Sequence, residues 1–151
     1  MNKQILALLM CTLLSNTLSA GTNNPNAVIS DKKQHIYWQD SAIPKKKNTK
    51  DWDDAAIYCD ALVLNGIENW RLPTFTELLS IVDYRHFEPA INPVFEHTDE
   101  GTYWTATDFS ATRSRAWTID FRTGKTYYSY KTTNHAVRCV ADFPAQTKET
   151  K

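Results

Sequence analysis

The apolar and polar positions that follow residue 70 predict a strand end and then a helix. Pro73 disfavours helical geometry at the residue before it, and Thr74 and Glu77 have the Thr-x-x-Glu spacing of a capping box. A helix is therefore predicted to begin at Thr74. Its apolar positions recur at i, i+3, i+4 and i+7 and form one stripe that must pack on the rest of the domain. The stripe consists of Phe75, Leu78, Leu79 and Val82.

An earlier helix is predicted from a second stripe of the same period. Thr49 or Asp51 can cap its start, and Asn65 with Gly66 supplies a stop. This helix places Cys59 on its buried face. The stripe consists of Trp52, Ala55, Ala56, Cys59, Leu62 and Val63.

Strands are predicted on both sides of these helices. Residues 35–38 are β-prone, and residues 103–107 and 116–121 alternate bulky and polar side chains. Thr123 and Gly124 form a turn into residues 125–130, which predicts a hairpin, and residues 136–140 form a last strand. Two helices followed by a small twisted antiparallel sheet, with long loops, predict an α+β domain.

Residues 1–20 have the pattern of a secretory signal peptide: Lys3, an apolar run over 5–14 and small residues at 18–20. The apolar run is too short for a transmembrane helix, so no membrane span is predicted. The polar segments 21–33 and 144–151 are predicted to be flexible, which leaves 34–143 as a single domain. We therefore expect an exported protein, periplasmic or secreted.

Composition narrows the possible partners. The 17 basic and 17 acidic residues balance to a formal net charge of zero, which argues against a nucleic-acid binder. Loss of Cys11 with the signal peptide leaves Cys59 and Cys139 in an oxidising compartment, where a disulfide is the natural interpretation. The alternative is a redox or nucleophilic pair, which usually shows close spacing or an activating base.

The order of these parts resembles a known family, the bacterial DUF1566 domains, also called the C-terminal domain of a collagen-like bacterial adhesin (Lcl). The likeness covers nearly the whole of 34–143 and is carried by a series of short motifs. They are Trp52 with Ala55, Tyr58, Cys59 and Leu62; Trp70, Arg71, Leu72, Pro73 and Thr74 with Glu77 and Leu78; the run 91–95; Tyr103, Trp104 and Thr105; Trp117 with Asp120, Phe121 and Gly124; and the run 137–140.

The resemblance implies a C-type-lectin-like fold related to formylglycine-generating enzymes, with a bridge from Cys59 to Cys139. Those enzymes use a cysteine pair in the active site, whereas both cysteines here stand at the structural positions, so that activity is not expected. Calcium-dependent lectins bind sugar through a Glu-Pro-Asn-like loop and a Trp-Asn-Asp-like strand. The nearest matches, 88–90 and 117–120, lack the oxygen ligands that calcium requires, so no calcium or other cofactor is expected.

The candidate ligand surface lies in the strand region, where basic residues alternate with tyrosines. Basic groups bind sulfates or carboxylates, and exposed aromatic faces stack on sugar rings. We expect Arg122 and Lys125 at the turn to share a face with Tyr128 and Tyr130, although an ordinary mixed surface has the same composition. The resemblance supports this interpretation, since the adhesin domain binds sulfated glycosaminoglycans. The candidates are Arg113, Arg115, Arg122, Lys125, Tyr128 and Tyr130.

Other candidate chemistry has a simpler structural interpretation. His35, His86, His97 and His135 lack the paired spacing of metal ligands. Arg71 and Glu77 form either a ligand pair or, as we favour, a structural pair in which Glu77 caps the second helix. Trp70, Trp104 and Trp117 are predicted core residues.

Three functional hypotheses follow. The first is an exported, non-enzymatic module that binds a glycan, such as a sulfated or acidic one, or a cell-surface protein, with binding lost on replacement of Arg122 and Lys125. The second is an enzyme with a site in the long loop 83–99, using His86 or His97 with Asp83 or Glu88. The third is a structural component of an envelope assembly, which would expose a contiguous apolar patch.

Overall fold

A computed structural model describes residues 27–41, 48–99 and 101–144, and this part of the chain forms two helices and two mostly antiparallel sheets. The α+β prediction is therefore confirmed. The helices are α1 (Trp52–Asp60) and α2 (Phe75–Ser80). The strands are β1 (Val28–Asp31), β2 (Ile36–Gln39), β3 (Thr49–Lys50), β4 (Trp70–Arg71), β5 (Thr102–Asp108), β6 (Arg115–Asp120), β7 (Lys125–Tyr130), β8 (His135–Ala136) and β9 (Val140–Asp142).

Both helices begin where their capping residues predict. Asp51 caps α1, its side chain accepting from the backbone N–H of Asp54 at 2.9 Å. Thr74 and Glu77 form the reciprocal capping box of α2. Both helices end earlier than the apolar stripes suggest, and for α1 the reason is local. Asn65 and Gly66 have positive φ and form a tight turn that pairs Leu64 with Ile67. Leu64 therefore belongs to this turn and not to α1.

The strands form two sheets where the sequence predicts a single one. One has the strand order β1-β2-β9-β4, and the other has the order β3-β8-β5-β6-β7. The hairpin of β6 and β7 is confirmed, and β7 is an edge strand. The predicted strand over 136–140 is wrong as one element: Ala136 ends β8 in one sheet and Val140 begins β9 in the other, so the chain crosses between sheets at 137–139.

Two apolar clusters form the core. One contains Leu78 of α2 with Tyr103 and Ile119, and the other contains Ala55 of α1 with Trp104 and Ala116. Successive residues of β5, Tyr103 and Trp104, thus belong to different clusters, as alternation along a strand requires. Both faces of the five-stranded sheet are therefore packed at β5.

Cys59 and Cys139 form a disulfide with a Cα–Cα distance of 5.6 Å. It links α1 to the segment that joins β8 to β9, and both cysteines are fully buried in the second cluster. The disulfide prediction is confirmed, and the redox alternative has no support from this placement.

Residues 28–31 lie in the segment that the sequence predicts to be flexible, yet they form β1. All four of its residues pair with β2, from Val28 opposite Gln39 to Asp31 opposite Ile36. The predicted signal peptide and the tail from 145 onward lie outside the described residues. Among the residues that the structure does describe, no helix has the length and apolar character needed to cross a membrane.

Candidate functional site

The β6–β7 hairpin brings part of the predicted ligand surface together. In its register Arg115 lies opposite Tyr130, and Trp117 lies opposite Tyr128. Because alternate residues of a strand share a face, these four side chains lie on one face of the hairpin. We call this set, together with Phe109, the aromatic face.

The aromatic face is held by ring and cation contacts. The Arg115 guanidinium lies 4.1 Å from the centroid of the Tyr130 ring and 5.3 Å from that of Tyr128, and it donates a hydrogen bond to the Tyr130 hydroxyl. Phe109 stacks on Tyr128 with centroids 4.1 Å apart. Tyr128 and Tyr130 remain about half exposed, at 48% and 53%. The rings are therefore both ordered and accessible.

Trp117 belongs to this surface and not to the buried core, which corrects the sequence expectation. It is half-buried and contacts Phe109, Tyr128 and Phe75 of α2, with centroids 5.2–6.2 Å apart. Helix α2 covers the face of β6 at Ile119, which is fully buried, but leaves Trp117 at its edge. Trp70 and Trp104 are buried core residues, as predicted.

Phe109 was not singled out in the sequence. It lies just after β5, and its backbone N–H bonds to the carbonyl of Arg115, which places it beside the start of β6. The register of β5 against β6 shifts between Trp104 and Asp108, an irregularity that can redirect a side chain. An isolated aromatic residue between two strand patterns is the available signal, and it is weak.

The cations of the hairpin lack the carboxylate partners that Arg71, Arg85 and Arg138 have. Within the described residues, the four predicted ligand cations make no ion pair with a carboxylate, and Arg113, Arg122 and Lys125 are exposed. Lys131, by contrast, lies 2.7 Å from Asp108. The hairpin thus carries cations that form no ion pair with a described carboxylate.

Arg122 and Lys125 do not join the aromatic face. Tyr128 and Tyr130 alternate with Lys125 along β7, so the expectation that Lys125 shares their face is wrong. Arg122 lies in the turn, where its backbone N–H bonds to the Asp120 carboxylate at 2.9 Å. The structure therefore divides the predicted surface into an aromatic face with Arg115 and a turn with Arg122 and Lys125.

Arg71 and Glu77 are a structural pair, as favoured from the sequence. Two guanidinium nitrogens of Arg71 bond the Glu77 carboxylate at 2.9 and 2.8 Å, and one also bonds Asp142 at 2.9 Å. Burial alone would raise the pKa of Glu77, but the hydrogen bonds from Arg71 and Thr74 outweigh it and lower that pKa. The hydrogen bonds that Arg71 donates to Glu77 and Asp142 raise the pKa of Arg71.

A groove of about 620 Å³ lies between α1 and the segment from β4 to α2. Its lining is mainly apolar, and the nearby Arg71 is already paired with two carboxylates. The groove therefore offers no free cation to an anionic ligand. Its lining includes Trp52, Ala56, Ile57, Trp70, Leu72 and Ala106.

Two groups of the enzyme hypothesis, Asp83 and His97, have other partners in the structure. Asp83 is bound by Arg85 at 2.7 and 2.9 Å, and these hydrogen bonds hold the pKa of the Asp83 carboxyl well below its usual range. Such a carboxylate is a poor general base at neutral pH. His97 instead lies 3.8 Å from Asp40. Among the described residues, no group of three or more His, Cys, Asp or Glu side chains could hold a metal ion.

His97 lies in a buried polar network that the sequence does not reveal. Asp40 accepts the backbone N–H groups of Glu96 and His97 at 2.8 and 3.1 Å and the side chain of Arg138 at 3.1 Å. Arg138 also donates to the carbonyl of His97 at 2.7 Å. Since Asp40 and Arg138 are 98 residues apart, no local pattern marks them as partners. The network fixes the end of the long loop to the core.

Comparison with models of known protein families gives a match over most of the described residues. The family model of the Lcl C-terminal domain matches residues 27–141, nearly all of the described chain. A search of curated proteins returns no match.

Proposed function

The chain belongs to the Lcl C-terminal domain family, and from this premise we propose that it is an exported, adhesin-like module that binds sulfated or otherwise acidic glycans on the aromatic face. One observation carries the proposal: Arg115, without a described carboxylate partner, lies over the rings of Tyr128 and Tyr130. An acidic sugar needs both groups, a cation for its anionic substituent and a flat ring for its pyranose face.

The packing of the rings of the aromatic face and the exposure of Arg113 support the same binding site. Tyr128 is stacked on Phe109, and Trp117 is packed against Phe75, so the rings lose little conformational freedom when a ligand binds. Arg113 lies two residues from Arg115 on the exposed loop before β6 and can add a second cation at the rim. The geometry thus suits a chain that carries several anionic groups.

Export and fold class belong to this proposal. A disulfide persists in the periplasm or outside the cell and is rare in the cytosol, which supports export through the predicted signal peptide over 1–20. A C-type-lectin-like fold, with its relation to formylglycine-generating enzymes, is supported by the bridge from α1 to the segment before β9 and by the placing of the N-terminal strands beside β9.

The test is binding of the oxidised protein to heparin, to desulfated heparin and to a neutral glycan, at low and at physiological salt. We expect retention on heparin that weakens as salt rises, because salt screens exposed charge. Arg113→Gln with Arg115→Gln should weaken binding at least about tenfold, since each charged hydrogen bond is worth roughly 1.5–3 kcal/mol. Tyr128→Ala should weaken binding to a similar degree.

Arg122→Gln with Lys125→Gln is the matched control, because it removes the same charge from the other end of the hairpin. Unchanged heparin binding by the Arg113 and Arg115 double variant would overturn the proposed site. Equal binding of the neutral glycan at every salt concentration would overturn the acidic ligand class. Thermal unfolding of each variant shows whether the domain is still folded.

A further inference from the structure

The turn between β6 and β7 and the start of the long loop form a second exposed surface. The Glu88 backbone N–H donates to the Arg122 carbonyl at 3.1 Å, and that of Ala90 donates to the Phe121 carbonyl at 2.6 Å. The Tyr84 hydroxyl donates to the Gly124 carbonyl at 3.2 Å. These bonds fix the loop to the turn as one unit.

This unit exposes two aromatic rings beside two cations. Tyr84 is 71% exposed and Phe87 is 69% exposed, and both flank the turn that carries Arg122 and Lys125. We call these four residues the turn surface. Phe87 has no polar atom, so its exposure has a cost in water that a partner would remove.

The basic and acidic side chains around the turn surface differ in their exposure to solvent. Arg85 has 85% of its side chain exposed, whereas the Asp83 carboxylate that it pairs with is 11% exposed. Asp120 is likewise buried and accepts from the backbone of the turn. The cations Arg85, Arg122 and Lys125 are therefore exposed, whereas these two carboxylates are largely buried. Glu88 is an exposed acid.

We propose that the turn surface binds an anionic lipid surface, with Phe87 entering the apolar boundary, Tyr84 at headgroup level, and Arg122 and Lys125 at the lipid phosphates. An apolar ring flanked by an amphipathic ring and by cations matches the layers of a membrane interface. A soluble glycan offers no apolar layer to Phe87, which distinguishes the two surfaces. The tyrosine hydroxyl is already bonded to Gly124, so Tyr84 presents mainly its ring.

The turn surface and the aromatic face can be tested separately. Strand β7 has six residues, so its two ends are about 17 Å apart at the rise of an extended strand. That separation exceeds the screening length of about 8 Å at physiological ionic strength. A lipid surface at the turn and a glycan near Arg115 therefore act as distinct ligands.

The experiment is co-sedimentation of the oxidised protein with vesicles of phosphatidylcholine alone and with vesicles of phosphatidylglycerol and phosphatidylcholine in equal amounts. We expect binding only to the anionic vesicles. Arg122→Gln with Lys125→Gln should weaken it at least about fivefold, and Phe87→Ala about tenfold, from the usual contributions of interfacial charge and apolar burial. Free glycerol phosphate should compete poorly, because it lacks an apolar layer.

The Arg113→Gln, Arg115→Gln double variant is the charge-matched control and should bind vesicles as the wild type does. The inference would be overturned if the wild type did not bind anionic vesicles. It would also be overturned if Phe87→Ala and the Arg122→Gln, Lys125→Gln double variant bound them as tightly as the wild type does. Loss of heparin binding in the turn-cation variant would assign the turn surface to the glycan and overturn it as well. Heparin binding by the aromatic face can succeed or fail independently of these results.

Discussion

Gly124 is the residue on which the turn surface depends. Its φ is +73°, in the left-handed region that favours glycine, and a Cβ placed there would lie 2.8 Å from both a ring carbon of Tyr84 and a methyl carbon of Val82. Both neighbours belong to the segment that enters the long loop. A side chain at this position would therefore separate the loop from the hairpin.

Gly124→Ala should destabilise the domain by about 2–4 kcal/mol, of which about 1 kcal/mol comes from the backbone conformation and the rest from the contact with Tyr84 and Val82. Denaturant unfolding measures the loss. Gly66→Ala is the matched control, since its φ is +75° and its Cβ would have no neighbour within 4 Å. Equal losses in the two variants would show that the contact contributes nothing.

At the residue scale the sequence predicts which face of a strand a side chain lies on better than it predicts whether that side chain is buried. Trp104 and Trp117 both lie in alternating strands and both read as core residues, but only Trp104 is buried. The two lie on opposite faces of the sheet: Trp104 packs in the cluster that contains Ala55 of α1, whereas Trp117 lies on the face that α2 covers at Ile119, and it contacts only the start of that helix. Alternation along a strand gives the face of a side chain, and it cannot give how far a neighbouring helix extends over that face.

At the scale of elements, the start of α2 is the part of the fold that the sequence predicts most completely. Pro73, Thr74 and Glu77 act through neighbours within three residues, so local spacing is sufficient. Glu77 has an additional role, because its carboxylate also binds Arg71 of β4. Arg71 in turn reaches Asp142 of β9, so the cap joins the helix to two strands.

Glu77→Gln should cost about 1–3 kcal/mol at neutral pH, at the lower end because Arg71 is partly exposed. The pKa of Glu77 is lowered in the folded state from its ordinary value of 4.5, so this stabilisation is present above about pH 4.5 and is lost as the pH falls through the folded pKa. The wild type should therefore lose more stability between pH 6 and pH 3, roughly, than the variant does.

Unfolding in denaturant at a series of pH values measures this difference. Glu68→Gln is the control, since Glu68 is exposed and forms no ion pair among the described residues. Parallel curves for the wild type and Glu77→Gln would contradict the assigned role.

The division of the last predicted strand shows the limit of local pattern at this scale. Residues 136–140 have β-prone composition throughout, but Arg138 bonds the carbonyl of Gln39 at 2.9 Å and that of His97 at 2.7 Å. Those partners lie in β2 and in the long loop, 99 and 41 residues away. The backbone of Cys139 also bonds Gln39, its N–H donating to the Gln39 side-chain oxygen at 3.1 Å and its carbonyl accepting from the Gln39 N–H at 2.9 Å, so the chain has changed sheets there.

For the whole molecule, the sequence predicts the α+β class and the disulfide, but not the arrangement of two sheets. The second sheet exists because β9 lies between β2 and β4, strands that are far apart in sequence. That arrangement depends on pairing over long separations, which composition and period do not encode. The division of the candidate site is different, because Lys125 and Tyr128 are three residues apart on β7 and alternation alone places them on opposite faces.

The disulfide sets the stability of this arrangement. Cys59 and Cys139 are separated by 80 residues, so their bond reduces the conformational freedom of most of the unfolded chain. Reduction of the wild-type protein should lower the free energy of unfolding by about 4–5 kcal/mol on the chain-entropy model. The denaturant dependence of that free energy should also steepen, because the reduced unfolded chain is less compact.

Guanidinium unfolding of the oxidised and reduced protein measures both changes. Reduction keeps both sulfur atoms in the second apolar cluster, so it leaves no methylene-sized cavity. Cys59→Ala with Cys139→Ala removes those buried atoms as well and should cost more than reduction alone. If the reduced protein is as stable as the oxidised one, restriction of the unfolded chain is not the source of stability, and the two apolar clusters hold the sheets together without the bond.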